Sequence, residues 1–259
     1  METVNVAIIY YSATGTVYAM AQAAAEGAEK AGASVRLRKV AELAPLQAIS
    51  AKPAWEQHLQ DTADIAVASL DDLAWADAVL FGTPTRFGNP ASPLRAFLET
   101  TGALWMRGQL ADKVYSAFTA SNTAHGGQES TLLALGNTFY HWGGIIVPPG
   151  YTDPVHLQSG NPYGTSHVAG NGVPNDVTLQ AARHQARRAV DTAAALKAGA
   201  PPNPARGSNR LVRRPNNDPM QQGGRPMIPR PAHADPWRTM SEHASTSKSR
   251  GVARCHDQA

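Results

Sequence analysis

Short apolar runs alternate along residues 4–197 with longer stretches whose hydrophobic positions recur at helical spacing. Residues 4–11 are β-rich and carry no charge, which predicts a strand. Small and apolar residues at helical spacing over 16–31, stopped by Gly32, predict a helix. Val35 and Leu37 alternate with Arg36 and Arg38, so 34–40 reads as a second, half-exposed strand. The long connection 41–75, with Pro45, Pro53 and a patch of Asp and Gln, is expected to hold a short helix and no strand. A third strand is expected over 78–81, a fourth over 114–118 and a fifth over 144–147, ahead of Pro148, Pro149 and Gly150. Helices are expected over 92–101, where Ser92 supplies an N-cap and Pro93 sits at N1, over 129–142 and over 176–197. A loop is expected over 151–174.

Five strands alternating with helices imply an α/β fold, a doubly wound parallel sheet with helices on both faces. The pattern leaves the strand order open between the simple Rossmann arrangement and 2-1-3-4-5. In either order the carboxyl ends of the strands lie along one edge. The loops after strands one, three and four therefore become neighbours there, and ligands bind at that edge.

Composition divides the chain in two. Residues 1–199 carry thirteen Lys/Arg against sixteen Asp/Glu, whereas 200–259 carry ten against four and hold nine of the nineteen prolines. Such a basic, Pro/Gly-rich tail buries too little apolar surface to offset the entropy of ordering, so it is read as disordered. Its charge is compatible with nucleic acid, but Trp237 is its only aromatic residue, which favours a solvated extension. The single cysteine, Cys255, excludes an internal disulfide and a metal site built on cysteine pairs. No run reaches the roughly 18 apolar residues of a membrane span, and no secretory pattern opens the chain, so a cytoplasmic protein is expected.

Candidate chemistry gathers on the three loops. The first, Ser12-Ala13-Thr14-Gly15-Thr16, presents hydroxyls and backbone N–H groups at a helix N terminus, where the helix dipole favours an anion. There is no G-x-x-x-x-G-K-[ST] to cradle a β/γ-phosphate and no G-x-G-x-x-G to seat a pyrophosphate, so of the phosphates a monophosphate fits best, while the same Ser/Thr/Gly residues read equally well as plain helix capping. Residues 82–89, Gly-Thr-Pro-Thr-Arg-Phe-Gly-Asn, combine two glycines and a proline with hydroxyl, cation and ring at a strand end. Residues 119–127 repeat the polar, glycine-ended chemistry before another helix. A phosphate on the first loop and a flat ring system against the other two describe a bound FMN.

At these residues the chain resembles the WrbA-type NAD(P)H:quinone oxidoreductases of the flavodoxin-like superfamily. The resemblance rests on Tyr10-Tyr11-Ser12, the whole 82–89 stretch, Phe97-Leu98, Thr101-Gly102 with Leu104-Trp105, Gly126-Gly127-Gln128-Glu129, the His141 region with Val147-Pro148, and Pro162-Tyr163-Gly164. It implies a flavodoxin-like five-stranded sheet in the order 2-1-3-4-5 and a homotetramer, or dimer of dimers, whose active sites are completed by neighbouring subunits. It also implies FMN as cofactor, NADH or NADPH as donor and quinones as acceptors. By position, Ser12, Ala13, Thr14, Gly15, Thr16 and Val17 would hold the phosphate, and Thr85, Arg86 and Phe87 would line the isoalloxazine. Ala120, Ser121, Asn122, Thr123, Ala124 and His125 would flank ribityl and ring, and His141 would approach from another helix end. Trp105 would wall the open flavin face. Thr14 stands where family members often carry a tyrosine that contacts the nicotinamide dinucleotide.

By residue type alone Trp105 reads as a core or subunit-contact aromatic, and Arg86 as a helix-edge ion pair. Neither His125 nor His141 has a partner at metal-ligand spacing, so no metal is expected. The expected reaction is a ping-pong, two-electron hydride transfer through flavin N5, with no protein acid–base pair required. Two other classes compete with it. A flavodoxin-type electron carrier would call for a strongly acidic surface, which the weakly charged body lacks. A flavin-binding regulatory protein would act through the tail.

Overall fold

The computed structural model describes residues 2–199; the tail read as disordered lies outside the described residues. The chain runs β1 (Asn5–Tyr10), α1 (Thr16–Lys30), β2 (Ser34–Lys39), α2 (Leu46–Ser50), α3 (Pro53–Asp61), α4 (Leu70–Trp75), β3 (Ala78–Arg86), β4 (Asn89–Pro90), α5 (Ser92–Glu99), α6 (Gly102–Met106), β5 (Val114–Ser121), α7 (Gln128–His141), β6 (Ile145–Ile146), α8 (Pro154–Ser159), β7 (Ser166–Val168) and α9 (Asp176–Gly199). The parallel strands stand in the order β2-β1-β3-β5-β6, which is 2-1-3-4-5 when the five are counted along the chain.

Alternation along each strand sorts the core onto two faces. Val6, Ile8, Tyr10, Leu80 and Phe118 pack under α1 and α9, while Ala7, Ile9, Val79, Phe81 and Tyr115 pack under α4, α5 and α7. Both faces are covered, so the strands read as unbroken apolar runs, as parallel strands do. Alanines on α1 and α9 let these helices approach closely: a Cβ on Gly27 would lie 2.3 Å from the Arg183 carbonyl oxygen.

Four local expectations change. The third strand continues through Arg86 and turns back on β4, so most of the 82–89 stretch is strand and hairpin. Pro84 is tolerated there for a reason the register supplies. Tyr11 donates its N–H to the Gly82 carbonyl at 2.9 Å, so Pro84, two residues on, faces the same side beyond the last pair with β1. The fourth strand likewise runs on to Ser121. The 41–75 connection holds three short helices, one of them started by a Ser69–Asp72 capping box.

The fifth strand position is split, and the expected 151–174 loop carries its second half. β6 pairs with Val114 and Tyr115 at the start of β5, and β7 pairs with Thr119 to Ser121 at its end. Gln185 of α9, fully buried, fills the break: its amide nitrogen donates to Ser116 Oγ and the Ala117 carbonyl (both 2.7 Å), and its Oε1 accepts from Thr165 N at 2.8 Å.

Candidate functional site

The carboxyl ends of β1, β3 and β5 meet along one edge, and two long helices start there. α1 opens at Gly15 (φ 93°) and α7 at Gly127 (φ 89°), both left-handed, which suits glycine, and neither helix has a side-chain cap. The Ser12 hydroxyl accepts from Gly15 N at 3.1 Å and shapes the first loop, and the first turn of α1 holds no acidic residue. Uncapped N–H groups at the positive end of a 15-residue helix form a receptor for an anion.

Between these two starts lies the β3–β4 hairpin. Phe87 (φ 53°) and Gly88 (φ 76°) form its two-residue turn, and positive φ at both positions is what a type I′ turn requires. A phenylalanine pays steric strain for that conformation, and its ring is fully exposed. Arg86 is also exposed and donates to the Thr85 carbonyl at 3.0 Å.

The hairpin is locked to the start of α7. The Thr85 and Thr131 hydroxyls are 2.7 Å apart, and the Gly127 carbonyl accepts from Thr131 Oγ1 at 2.8 Å and from Thr85 Oγ1 at 3.3 Å. A Cβ on Gly127 would lie 2.7 Å from the Gly88 Cα. The missing side chain of Gly127 permits this approach, and a Cβ on Gly88 would in turn lie 2.8 Å from Ser130 Oγ of α7, so the two motifs that stood out in the sequence are joined here.

Near the end of β5, Ala120 is buried and pairs with Pro84, while Asn122, Thr123, Ala124 and His125 beyond the strand form an exposed loop tip. Ser121 serves that loop from within. Its hydroxyl donates to the Thr123 carbonyl at 2.6 Å and accepts from buried Gln128 Nε2 at 2.7 Å. Pro162-Tyr163-Gly164 has a structural explanation too, since a Cβ on Gly164 would lie 2.2 Å from the Ala117 carbonyl oxygen.

Trp105 and His141, 36 residues apart, do come together: the half-exposed indole donates to the His141 carbonyl at 2.8 Å. They sit at the C-terminal end of α7, however. Its 14 residues at about 1.5 Å each put them roughly 20 Å from Gly127 within one chain. The structure thus gathers residues 12–17, 85–87 and 120–125 on one edge and sets Trp105 and His141 apart from them.

The edge fits FMN on its donor set. Two uncapped helix starts supply backbone donors and no lysine, suited to one phosphate and to polar ring edges; the hairpin between them supplies hydroxyl, guanidinium and ring. Sequence reasoning missed Thr131, which reads as an ordinary helix residue until its partner 46 residues away is known. It also missed the cluster beside the first loop. There Glu42 accepts from Tyr11 Oη and Trp55 Nε1, each at 3.0 Å, while burial and that carboxylate push the Tyr11 phenol above its usual range.

Residues 4–153 match the family model described as NADPH-dependent FMN reductase. The chain is similar to the NAD(P)H dehydrogenase (quinone) of Deinococcus radiodurans, with 49% identity over 197 residues, covering 74% of this chain and 97% of the relative. It is similar also to the protein of the same name from Geotalea uraniireducens, at 43% identity over 201 residues, covering 74% and 98%. The crystal structure of a flavodoxin, WrbA-like protein from Agrobacterium tumefaciens superposes with a TM-score of 0.53 at 24% identity, over 74% of this chain and 99% of that one. That likeness is one of fold.

Proposed function

The chain belongs to the NADPH-dependent FMN reductase family, and from that premise we propose that it is an NAD(P)H:quinone oxidoreductase with FMN as its cofactor. The observation that carries this reading is the pair of uncapped, glycine-started helices flanking the hairpin on one sheet edge. Bound FMN would relay a hydride from NAD(P)H to a quinone, donor and acceptor using one stacking site in turn.

The protein's part is to bind, orient and exclude water. Residues 12–17 hold the phosphate through the N–H groups of α1, and the helix dipole favours its charge. Thr85, Arg86 and Phe87 form the bed of the ring system. The exposed Arg86 guanidinium beside the ring favours added negative charge there. Residues 120–125 close the other flank, with Ser121 and Gln128 bracing the tip from inside.

Trp105 and His141 cannot reach this bed in their own chain, lying about 20 Å away along α7. We assign them to the bed of a neighbouring copy in a homotetramer, where Trp105 walls the stacking site. The exposed Phe87 ring at the bed and the half-exposed Trp105 at the far end of α7 are the two apolar groups that such an assembly would bring together.

Purified protein should be yellow with one FMN per chain, bleach with NADH or NADPH and recolour with benzoquinone. Absence of FMN-dependent NAD(P)H oxidation with benzoquinone would overturn the proposal.

A further inference from the structure

The segment between β2 and β3 brings a side chain to the phosphate loop that no sequence pattern indicated. His58 of α3 is nine-tenths buried, its ring tilted against Tyr18 of α1 with centroids 5.6 Å apart. Its Nδ1 points at the turn that starts α1: a Cβ on Gly15 would lie 3.6 Å from it. The His58 carbonyl accepts from Thr62 Oγ1 at 2.7 Å, but neither ring nitrogen has a hydrogen-bond partner among the described residues. His58 also lines a cavity of about 260 Å³ shared with Ser12 of the phosphate loop. An imidazole whose nitrogens have no protein partner keeps both free to meet a ligand.

We propose that His58 is a phosphate ligand of this site, neutral in the free protein and protonated when the phosphate monoester of FMN is bound. The inference rests on the FMN reading above and adds a residue, and a proton, to it. The proton comes from solvent, adds to imidazole as the anion enters, and leaves when the anion departs.

The surroundings favour this behaviour. Burial holds the free imidazole below its usual range; Asp61 on the same helix opposes that, and Lys39 of β2 adds to it. Lys39 is itself occupied by the Thr62 carbonyl, and Glu42, lining the same cavity, accepts from Tyr11 and Trp55. Tyr18 of α1 faces the ring, and burial, with Tyr18 adding to it, raises the neighbouring Tyr10 phenol above its usual range. A phosphate carrying nearly two charges near pH 7 would restore the protonated form. Of the titratable side chains in this cluster, only an imidazole has an ordinary pKa between 5 and 8, so His58 is the group whose protonation an entering anion shifts most readily near neutral pH.

The test compares FMN with riboflavin, which lacks the phosphate, on the full chain. Flavin-fluorescence quenching gives both dissociation constants for wild type and His58→Gln. Calorimetry at pH 7.5 in buffers of different ionisation enthalpy gives the protons taken up. The expected result is FMN affinity weakened about ten- to a hundredfold by His58→Gln, with riboflavin affinity unchanged. Wild type should take up a substantial fraction of a proton with FMN and none with riboflavin. Wild-type FMN binding without proton uptake, or an FMN-to-riboflavin ratio unaltered in His58→Gln, overturns this inference alone. A wild-type chain that binds no FMN overturns the functional reading as well.

Discussion

The hydroxyl lock between hairpin and helix can be tested by removing its two halves separately and together. Thr131 is fully buried, and valine keeps its shape while deleting the oxygen that lies 2.7 Å from Thr85 Oγ1 and 2.8 Å from the Gly127 carbonyl. That carbonyl keeps its helical bond from Thr131 N at 3.1 Å, and Thr85 Oγ1 can still reach it at 3.3 Å, so no group is left wholly unsatisfied. The loss therefore falls near an ordinary net hydrogen bond, about 1–1.5 kcal/mol. For an ordered domain of this size that amounts to a melting-temperature decrease of about 2–6 °C. Thr85→Val removes the other half of the same contact, so the double variant should be no worse than the sum less about 1 kcal/mol of coupling. Urea denaturation of the four proteins, with FMN affinity measured in parallel, completes the cycle. Additivity within about 0.3 kcal/mol, with unchanged FMN affinity, would refute the idea that these hydroxyls hold the bed together.

Three further outcomes are expected. Gly127→Ala puts a Cβ 2.7 Å from the Gly88 Cα and strains a φ of 89°, so about 1–3 kcal/mol of stability and most FMN binding should go, read by thermal melts and flavin titration. Trp105→Ala should leave the far-off bed intact, keeping FMN bound while quinone turnover falls about tenfold or more; a loss of FMN with turnover per bound flavin preserved would contradict the assignment. His156 is fully buried with both ring nitrogens unpartnered, and burial, with His184 beside it and Asp153 opposing, pushes its pKa down to about 4. A depressed histidine contributes stability that is fully present above its unfolded value near 6.5 and lost as pH falls through about 4, roughly 3 kcal/mol in all. His156→Phe should flatten urea-denaturation midpoints across that window, and an unchanged slope would count against it.

The strands and long helices were legible because their signals are local: apolar runs of strand length, glycine and proline punctuation, and helical spacing on α1, α7 and α9. The 82–89 stretch stands out by composition, yet it reads as a loop, because nothing in a single sequence shows that β5 continues alongside Pro84 or that β1 has already ended. The split fifth strand was invisible for a related reason. Ser166–Val168 is too short to read as a strand until the end of β5 offers it partners.

Residue types and their order along the chain determined the α/β class, the edge where a ligand binds and the loops that meet it, since these follow from periodicity and from the geometry of parallel strands. Only the tertiary structure decided which groups touch. It put Gly127 against Gly88 and the Thr85 and Thr131 hydroxyls together, aimed a buried histidine from α3 at Gly15, and carried Trp105 and His141 to the far end of α7. Those contacts join residues tens of positions apart. They depend on register and helix length summed over whole elements, which no local pattern encodes.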